Sequence, residues 1–289
     1  LTKPALDPRR HPWRPDLAAE ALRGKVPAAR FVAGEARQVV HAATPLWSRP
    51  DPREGWASQV LYGELVTVYE EKYGWAWVQA ARDNYVGYVR ARALSGQVQP
   101  STHHVRVPGT FLYAAPDAKA LTGLHLSMNA LVSVAEPGPG FSRLADGSFV
   151  PTRHLAEPGK YAPDFVAVAE RFVGTPYVWG GKTRLGLDCS GLVQVAMHAA
   201  GLECPRDSDM QMAELGREVA IRPDLEGLQR GDLIFWKGHV GILTDGFMLL
   251  HANAHFMAAV SEPLRGAVDR IARAGSAITA IKRVAARGA

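Results

Sequence analysis

The spacing of apolar and polar positions divides the chain into distinct textures. From Gln38 it has the period of two that marks half-buried strands. Gln38-Val-Val-His-Ala, Leu65-Val-Thr-Val-Tyr-Glu, Ala76-Trp-Val-Gln-Ala and Tyr85-Val-Gly-Tyr-Val are separated by Gly, Pro, Asp and Asn turn signals. The texture then recurs at a constant offset of 66: Leu46-Trp47…Pro50 matches Leu112-Tyr113…Pro116, Val66-Thr-Val68 matches Val132-Ser-Val134, and Gly74-Trp75 matches Gly140-Phe141. After a deletion of five, Gly87-Tyr-Val89…Leu94 matches Ser148-Phe-Val150…Leu155. Two tandem copies of one small all-β unit explain the pattern, and about five short strands in about 60 residues predict a small barrel for each, over 36–97 and 98–158. The Asp83-Asn84-Tyr85 tip of the first copy has no counterpart in the second.

Ahead of the barrels, residues 1–35 carry prolines at 4, 8, 12, 15 and 27 and one short helical pattern at Asp16–Gly24, with Asp16 as cap. This reads as an arm that packs on something else. Beyond the Glu157-Pro-Gly-Lys linker the period lengthens to that of helices. Asp164 caps a helix over Phe165–Val173 that Gly174 stops. A second helix starts near Cys189, with Val193, Ala196, Ala199 and Ala200 on its buried face and Gly201 as its stop, and a shorter one runs from Ser208 to Leu215. Three strands follow, Asp232-Leu-Ile-Phe-Trp-Lys, His239-Val-Gly-Ile-Leu-Thr and Phe247-Met-Leu-Leu-His-Ala, then a helical piece at Gly266–Ala274 and a last strand from Ile278. Helices before strands make 159–289 an α+β unit.

Composition narrows the function classes. The 289 residues are 47% hydrophobic and 21% charged, and no apolar run approaches the roughly 18 residues of a membrane span. A net charge of +5 suits an acidic partner, but arginine is spread without a basic run interleaved with aromatics, which excludes nucleic acid as the expected partner. Cys189 and Cys204 are too few for a disulfide framework and lean towards a reducing compartment. Residues 1–14 lack the apolar core of a secretory signal, so the expected location is the cytoplasm, with periplasm or export if a leader was removed. No sequence feature sets an oligomeric state.

The chemistry centres on the stretch from Thr175 to Leu192. Cys189 sits in the first turn of a helix, where unpaired N–H groups and the helix dipole favour a thiolate, and Asp188 can cap that helix. The bland alternative is a small buried core residue. A thiolate nucleophile needs a base and a group to orient the base. If 239–244 and 247–252 pair as a hairpin around Asp245-Gly246, with partners summing to 490 or 491, His239 and His251 meet at one end. Cys204 matches no motif and reads as a structural buried thiol. His255, four residues after His251, has metal spacing only on a helix, and the strand pattern rejects a metal site; no cofactor is expected.

Four motifs in order, Thr175-Pro-Tyr-Val-Trp-Gly-Gly, Leu187-Asp-Cys-Ser-Gly-Leu, Arg230-Gly-Asp-Leu-Ile-Phe-Trp and Gly238-His-Val-Gly-Ile, resemble the NlpC/P60 family of cell-wall cysteine peptidases over about 161–260. The paired β units resemble bacterial SH3 domains, and the whole is similar to γ-D-glutamyl-L-diamino acid endopeptidases. The resemblance implies a multidomain protein, two small all-β SH3-like barrels followed by an α+β papain-like catalytic domain. It implies Cys189 as nucleophile, His239 as base, His251 as orienter, and Tyr177 as the hydroxyl that holds the oxyanion with the Cys189 N–H.

The resemblance further implies that Asp188 and Ser190 bind the free α-amine of a murein peptide, with Glu64 and Tyr85 of the first barrel closing over it. An exposed turn residue and a barrel aromatic are the alternatives for those two. Trp179 belongs either to the site or to the core. Arg206, Asp207 and Ser208 line the pocket, unless Asp207 or Ser208 is a helix cap. The implied reaction is hydrolysis of the γ-D-Glu–diaminopimelate or γ-D-Glu–L-Lys bond in peptides that begin with a free L-Ala, in cell-wall peptide recycling. A papain-like amidase or acyltransferase on another amide or ester, or a non-catalytic peptidoglycan-binding protein, are the alternatives. Nothing after about residue 260 carries a functional signal.

Overall fold

The structure, a computed structural model, describes residues 6–285. Pro4 of the arm and the last four residues of the expected catalytic domain lie outside the described residues. The chain divides into two compact units, Leu1–Glu157 and Pro158–Ala289.

In the first unit the expected arm helix is replaced by a strand, Leu17–Ala19, paired in parallel with Arg30–Val32, and by a single 3-10 turn, Glu20–Leu22. Packing explains the difference. Leu17, Ala18 and Ala19 are all buried, whereas a surface helix buries only one stripe. Asp16 caps nothing; Arg14 holds its carboxylate through two bonds. The Arg14 guanidinium also lies 4.3 Å over the Trp77 ring and bonds Glu70 and Tyr88, while Leu17 packs with Trp77 and Val86. The arm therefore packs on the first barrel.

The internal repeat is visible in the pairing. Glu35–Val39 lies between Leu65–Lys72 and Leu94–Ser95, and His103–Val105 lies likewise between Leu131–Val132 and Leu155–Ala156. A 3-10 turn precedes each closing strand, Ala91–Ala93 and Thr152–His154, 61 residues apart as the 66-residue period less five requires. Each copy has its own apolar core, one around Val39, Val66, Val78 and Val89 and the other around Val105, Leu126, Val132 and Val150. The first strand begins three residues earlier than its apolar pattern implies, because Glu35, Ala36 and Arg37 pair with Val68, Thr67 and Val66 while staying largely exposed. Gly63, in the left-handed region at φ 77°, lies against the Leu131 carbonyl, where a Cβ would come within 2.1 Å of the oxygen.

The second unit is built on one antiparallel sheet. Its strands are β1 (Arg217–Glu218), β2 (Asp232–Trp236), β3 (His239–Leu243), β4 (Met248–Asn253), β5 (Ala258–Pro263) and β6 (Ala280–Arg283), in the order β1-β6-β2-β3-β4-β5. The helices are α1 (Phe165–Glu170), α2 (Cys189–Ala199), α3 (Ser208–Glu214) and α4 (Leu264–Arg273). Asp164 caps α1 by accepting from the Val166 N–H at 2.8 Å. The apolar length of α2 packs on β3 and β4, which fixes the position of its first turn at the sheet. Strand β5 has weak alternation and was not expected, yet it pairs with β4 along six residues.

Candidate active site

Asp188 turns the chain into α2. It is the N-cap, and its Oδ1 accepts from the Gly191 N–H at 2.7 Å. Its Oδ2 accepts from the Gly180 N–H at 2.8 Å, tying the helix start to the preceding aromatic and glycine-rich turn. Arg206, itself 1% exposed, brings its guanidinium fork to the same carboxylate at 3.0 and 2.7 Å and donates to Ser190 Oγ at 2.7 Å. Ser190 Oγ in turn donates to Asp188 Oδ1 at 3.3 Å. A carboxylate has about four lone-pair positions. Two backbone N–H groups, the arginine fork and the Ser190 hydroxyl bring five donors to them, so Asp188 and Arg206 form a closed, net-neutral pair beneath Cys189.

The two histidines are joined by a register the sequence did not foresee. Ile242 pairs with Leu250 and Leu243 with Leu249, so partners sum to 492 and His251 falls opposite Gly241 instead of His239. The rings still meet, with His239 Nε2 2.8 Å from His251 Nδ1, because Gly241 leaves the space between them empty. A Cβ there would stand 2.6 Å from Leu249 and 3.2 Å from the His251 Cβ. From the other side, His251 Nε2 lies 2.8 Å from Glu262 Oε1 on β5, and Arg270 on α4 pairs with the same oxygen. Trp236, opposite His239 on β2, sets its ring 5.7 Å from the imidazole.

Burial decides the charge state. It pushes the Cys189 thiol up to about 12, with the Asp188 carboxylate adding to it, against the Val240 and Ser190 N–H groups and Arg206. Burial first, then His251 and Arg270, bring His239 down to about 3, against Asp188 and Glu262. His251 is lowered to about 4 by burial and Arg270. The thiolate expected at a helix start is thus overridden by desolvation. The resting groups are a thiol and a neutral imidazole. The rate should accordingly show no His239 limb near pH 6.5. Falling pH protonates a free imidazole at that point, whereas the depressed His239 keeps its lone pair down to about 3. In kcat/KM measured from pH 5 to 8 on a peptide substrate, an acid limb with an apparent pKa near the ordinary histidine value would overturn this assignment.

Tyr177 is half-buried, and its phenol is pushed up to about 12 by burial and then by Cys189 and Asp188, so it remains an O–H donor beside Cys189. Trp179 is 65% exposed, which removes the core-packing alternative. Arg206 lies beneath the site, whereas Asp207 and Ser208 at the start of α3 are half-buried, and Asp207 makes no side-chain cap bond. In the first unit, Glu64 is buried instead of exposed at a turn. It accepts from the Leu61 N–H at 2.9 Å and pairs with Arg82 at 2.7 Å. Tyr85 is part of the first barrel's core. Cys204 is buried, with its sulfur 3.4 Å from Gln211 Nε2, and neither cysteine forms a disulfide. Glu262 and Arg270 carry no signal in the sequence, because only the β4–β5 pairing and the α4 return bring them to His251.

The model of the NlpC/P60 family matches residues 174–267, which contain Cys189, His239, His251 and Glu262, and that of the bacterial dipeptidyl-peptidase Sh3 domain matches 46–94. A γ-D-glutamyl-L-lysine dipeptidyl-peptidase of Bacillus subtilis (strain 168) is 30% identical over 221 residues, covering 68% of this chain and 71% of that protein. The chain belongs to the NlpC/P60 family. Dipeptidyl-peptidase 6 of Lysinibacillus sphaericus is 26% identical over 74% of this chain and 86% of its own. The crystal structure of an NlpC/P60 family protein from Bacillus cereus superposes with a TM-score of 0.71 at 21% identity, over 86% of this chain and 99% of that one. This NlpC/P60 protein is a cysteine peptidase with a β-rich, SH3-containing N-terminal region. Among the described residues no helix is long and apolar enough to cross a membrane.

Proposed function

We propose that this NlpC/P60 peptidase hydrolyses the γ-D-Glu–diamino acid bond of murein peptides that begin with a free L-Ala, releasing the dipeptide L-Ala-γ-D-Glu in peptide recycling. One observation carries the reading: a chain with Cys189 at a helix start and a joined His239–His251 pair also contains an Sh3 domain of the dipeptidyl-peptidase type. Relatives named for dipeptidyl-peptidase activity support it. An enzyme that removes dipeptides must measure two residues from a free amino terminus. The amine is assigned to Ser190 Oγ, which keeps one lone pair beyond its bonds to Asp188 and Arg206.

The chemistry runs through the residues described. The Cys189 sulfur attacks the amide carbonyl as its proton passes to His239. The oxyanion is held by the Cys189 N–H at the start of α2 and by the Tyr177 hydroxyl. His239 then protonates the leaving amine of the diamino acid, a thioester forms, and water activated by the same imidazole releases the dipeptide. Incubation with L-Ala-γ-D-Glu-meso-diaminopimelate, its L-Lys counterpart and the N-acetyl form of each, followed by mass spectrometry, tests the reading. The free peptides should be cut at least about 100-fold faster, since an acylated amine leaves buried polar groups unpaired. Equal cleavage of acetylated and free forms would sink the amine requirement, and no cleavage of any would sink the bond assignment.

A further inference from the structure

The chain of close contacts at the site does not stop at His251. Glu262 sits on β5, whose Val260 pairs with His251, and points its Oε1 at His251 Nε2 from 2.8 Å. Arg270, one turn from the end of α4, forms an ion pair with that oxygen and lies 5.4 Å from the Phe256 ring centroid. His251 is 1% exposed, so its ring nitrogens exchange no bonds with bulk water and must be satisfied by these neighbours.

Two histidines in series pose a problem of direction. Each neutral imidazole has one donor and one acceptor nitrogen, and nothing in the His239–His251 contact alone decides which is which. A carboxylate decides it, because when ionised it only accepts. We propose that Glu262 is a positioning residue that sets the tautomers of both histidines and thereby holds His239 Nδ1 as the lone pair that takes the Cys189 proton. Starting from Glu262, His251 must carry its proton on Nε2 to donate to Oε1. Its Nδ1 is then bare, so His239 must carry its proton on Nε2 to donate to it. His239 Nδ1 is left unprotonated. Arg270 pairs with the same Oε1, so that oxygen accepts from both sides and fixes the sense of the whole chain. No proton passes to Glu262 during the reaction; the thiol proton goes to His239 Nδ1 and from there to the leaving amine.

The inference rests on the peptidase chemistry of Cys189 but not on which peptide is cut. Its first test therefore needs no substrate: ring-nitrogen NMR on the intact chain labelled with 15N-histidine. Both His239 and His251 should show protonated Nε2 and bare Nδ1. A protonated Nδ1 on His251 overturns the proposal outright. In Glu262→Leu the acceptor is gone, and kcat should fall roughly 100-fold while KM stays within a few-fold, the loss of an oriented base instead of a binding contact. In Glu262→Gln the amide oxygen still accepts from His251 and pairs with Arg270, so kcat and the ring-nitrogen pattern should largely return. A folded Glu262→Leu protein with near wild-type kcat overturns the proposal. If Glu262→Leu does not fold, the wild-type spectrum and Glu262→Gln decide it.

Discussion

Cys189→Ala is expected to lower peptide hydrolysis by about 10,000-fold or more while leaving the fold intact. The loss is large because every other part of the site only serves the sulfur. Without it, His239 has no proton to take and no thioester can form, and what remains is substrate held beside oriented donors. Cys204 offers no substitute, since it is buried at the base of α2's packing and its sulfur is engaged by Gln211. Stability should change by less than about 1 kcal/mol, because the side chain lost is small and a thiol crowded by the Asp188 carboxylate contributes little. The control is Cys204→Ala, which should keep its kcat and lose about 1–2 kcal/mol of stability as a buried packing residue. Product formation by mass spectrometry and urea unfolding of both variants check the pair. Residual activity in Cys189→Ala within 100-fold of wild type would remove Cys189 from the nucleophile's role.

Much of this site was legible in the chain because its parts are local. The aromatic and glycine-rich turn, the Asp188 cap and the helix-start cysteine lie within fifteen residues, and capping rules alone put Asp188 at the head of α2. The repeat was legible for a similar reason: two copies of one pattern, offset by a fixed number of residues, need no tertiary information. The failures share the opposite cause. The arm at 16–24 has a helical pattern but is too short to hold a helix, so burial of Leu17, Ala18 and Ala19 against the barrel sets its conformation. The His239–His251 register depended on the extent of the Asp245-Gly246 turn, where Thr244 bonds Met248 and a three-residue loop, 245–247, replaces the two-residue loop of a tight hairpin.

Glu262 shows the limit most sharply. Its strand begins Ala-Ala-Val-Ser, which has no motif, and its role exists only because β5 is laid beside β4 with Val260 against His251. The same holds for the thiol. Position in sequence argues for a stabilised thiolate, but position in space removes water from Cys189 and places a carboxylate next to it. Desolvation of a full charge outweighs a helix end, which contributes at most about 2 kcal/mol. The helix-start position of Cys189 is therefore legible in the sequence, while its resting protonation is not.

Arg206→Met is expected to destabilise the catalytic unit by about 3–5 kcal/mol, the largest stability effect of any single change near the site. The guanidinium is 1% exposed and supplies two of the five bonds to Asp188. Methionine fills much of its volume but leaves the carboxylate buried with only the Gly180 and Gly191 N–H groups and the weaker Ser190 contact. Asp188→Asn should cost less, because an amide still caps α2 through its oxygen, though its NH2 must turn towards a donor. If the pair acts as one unit, Asp188→Asn with Arg206→Met should lose at least about 1–3 kcal/mol less than the sum of the two single changes, since the second substitution removes a charge the first has already orphaned. Activity should fall with stability in Arg206→Met even where the protein is still folded, as Arg206 opposes the Asp188 field at the sulfur. Urea unfolding of the two single variants and the double variant, followed by a probe in the catalytic unit, measures the coupling. Strict additivity would mean that Arg206 and Asp188 stabilise the α2 start independently, and would leave the closed pair beneath Cys189 without an energetic role.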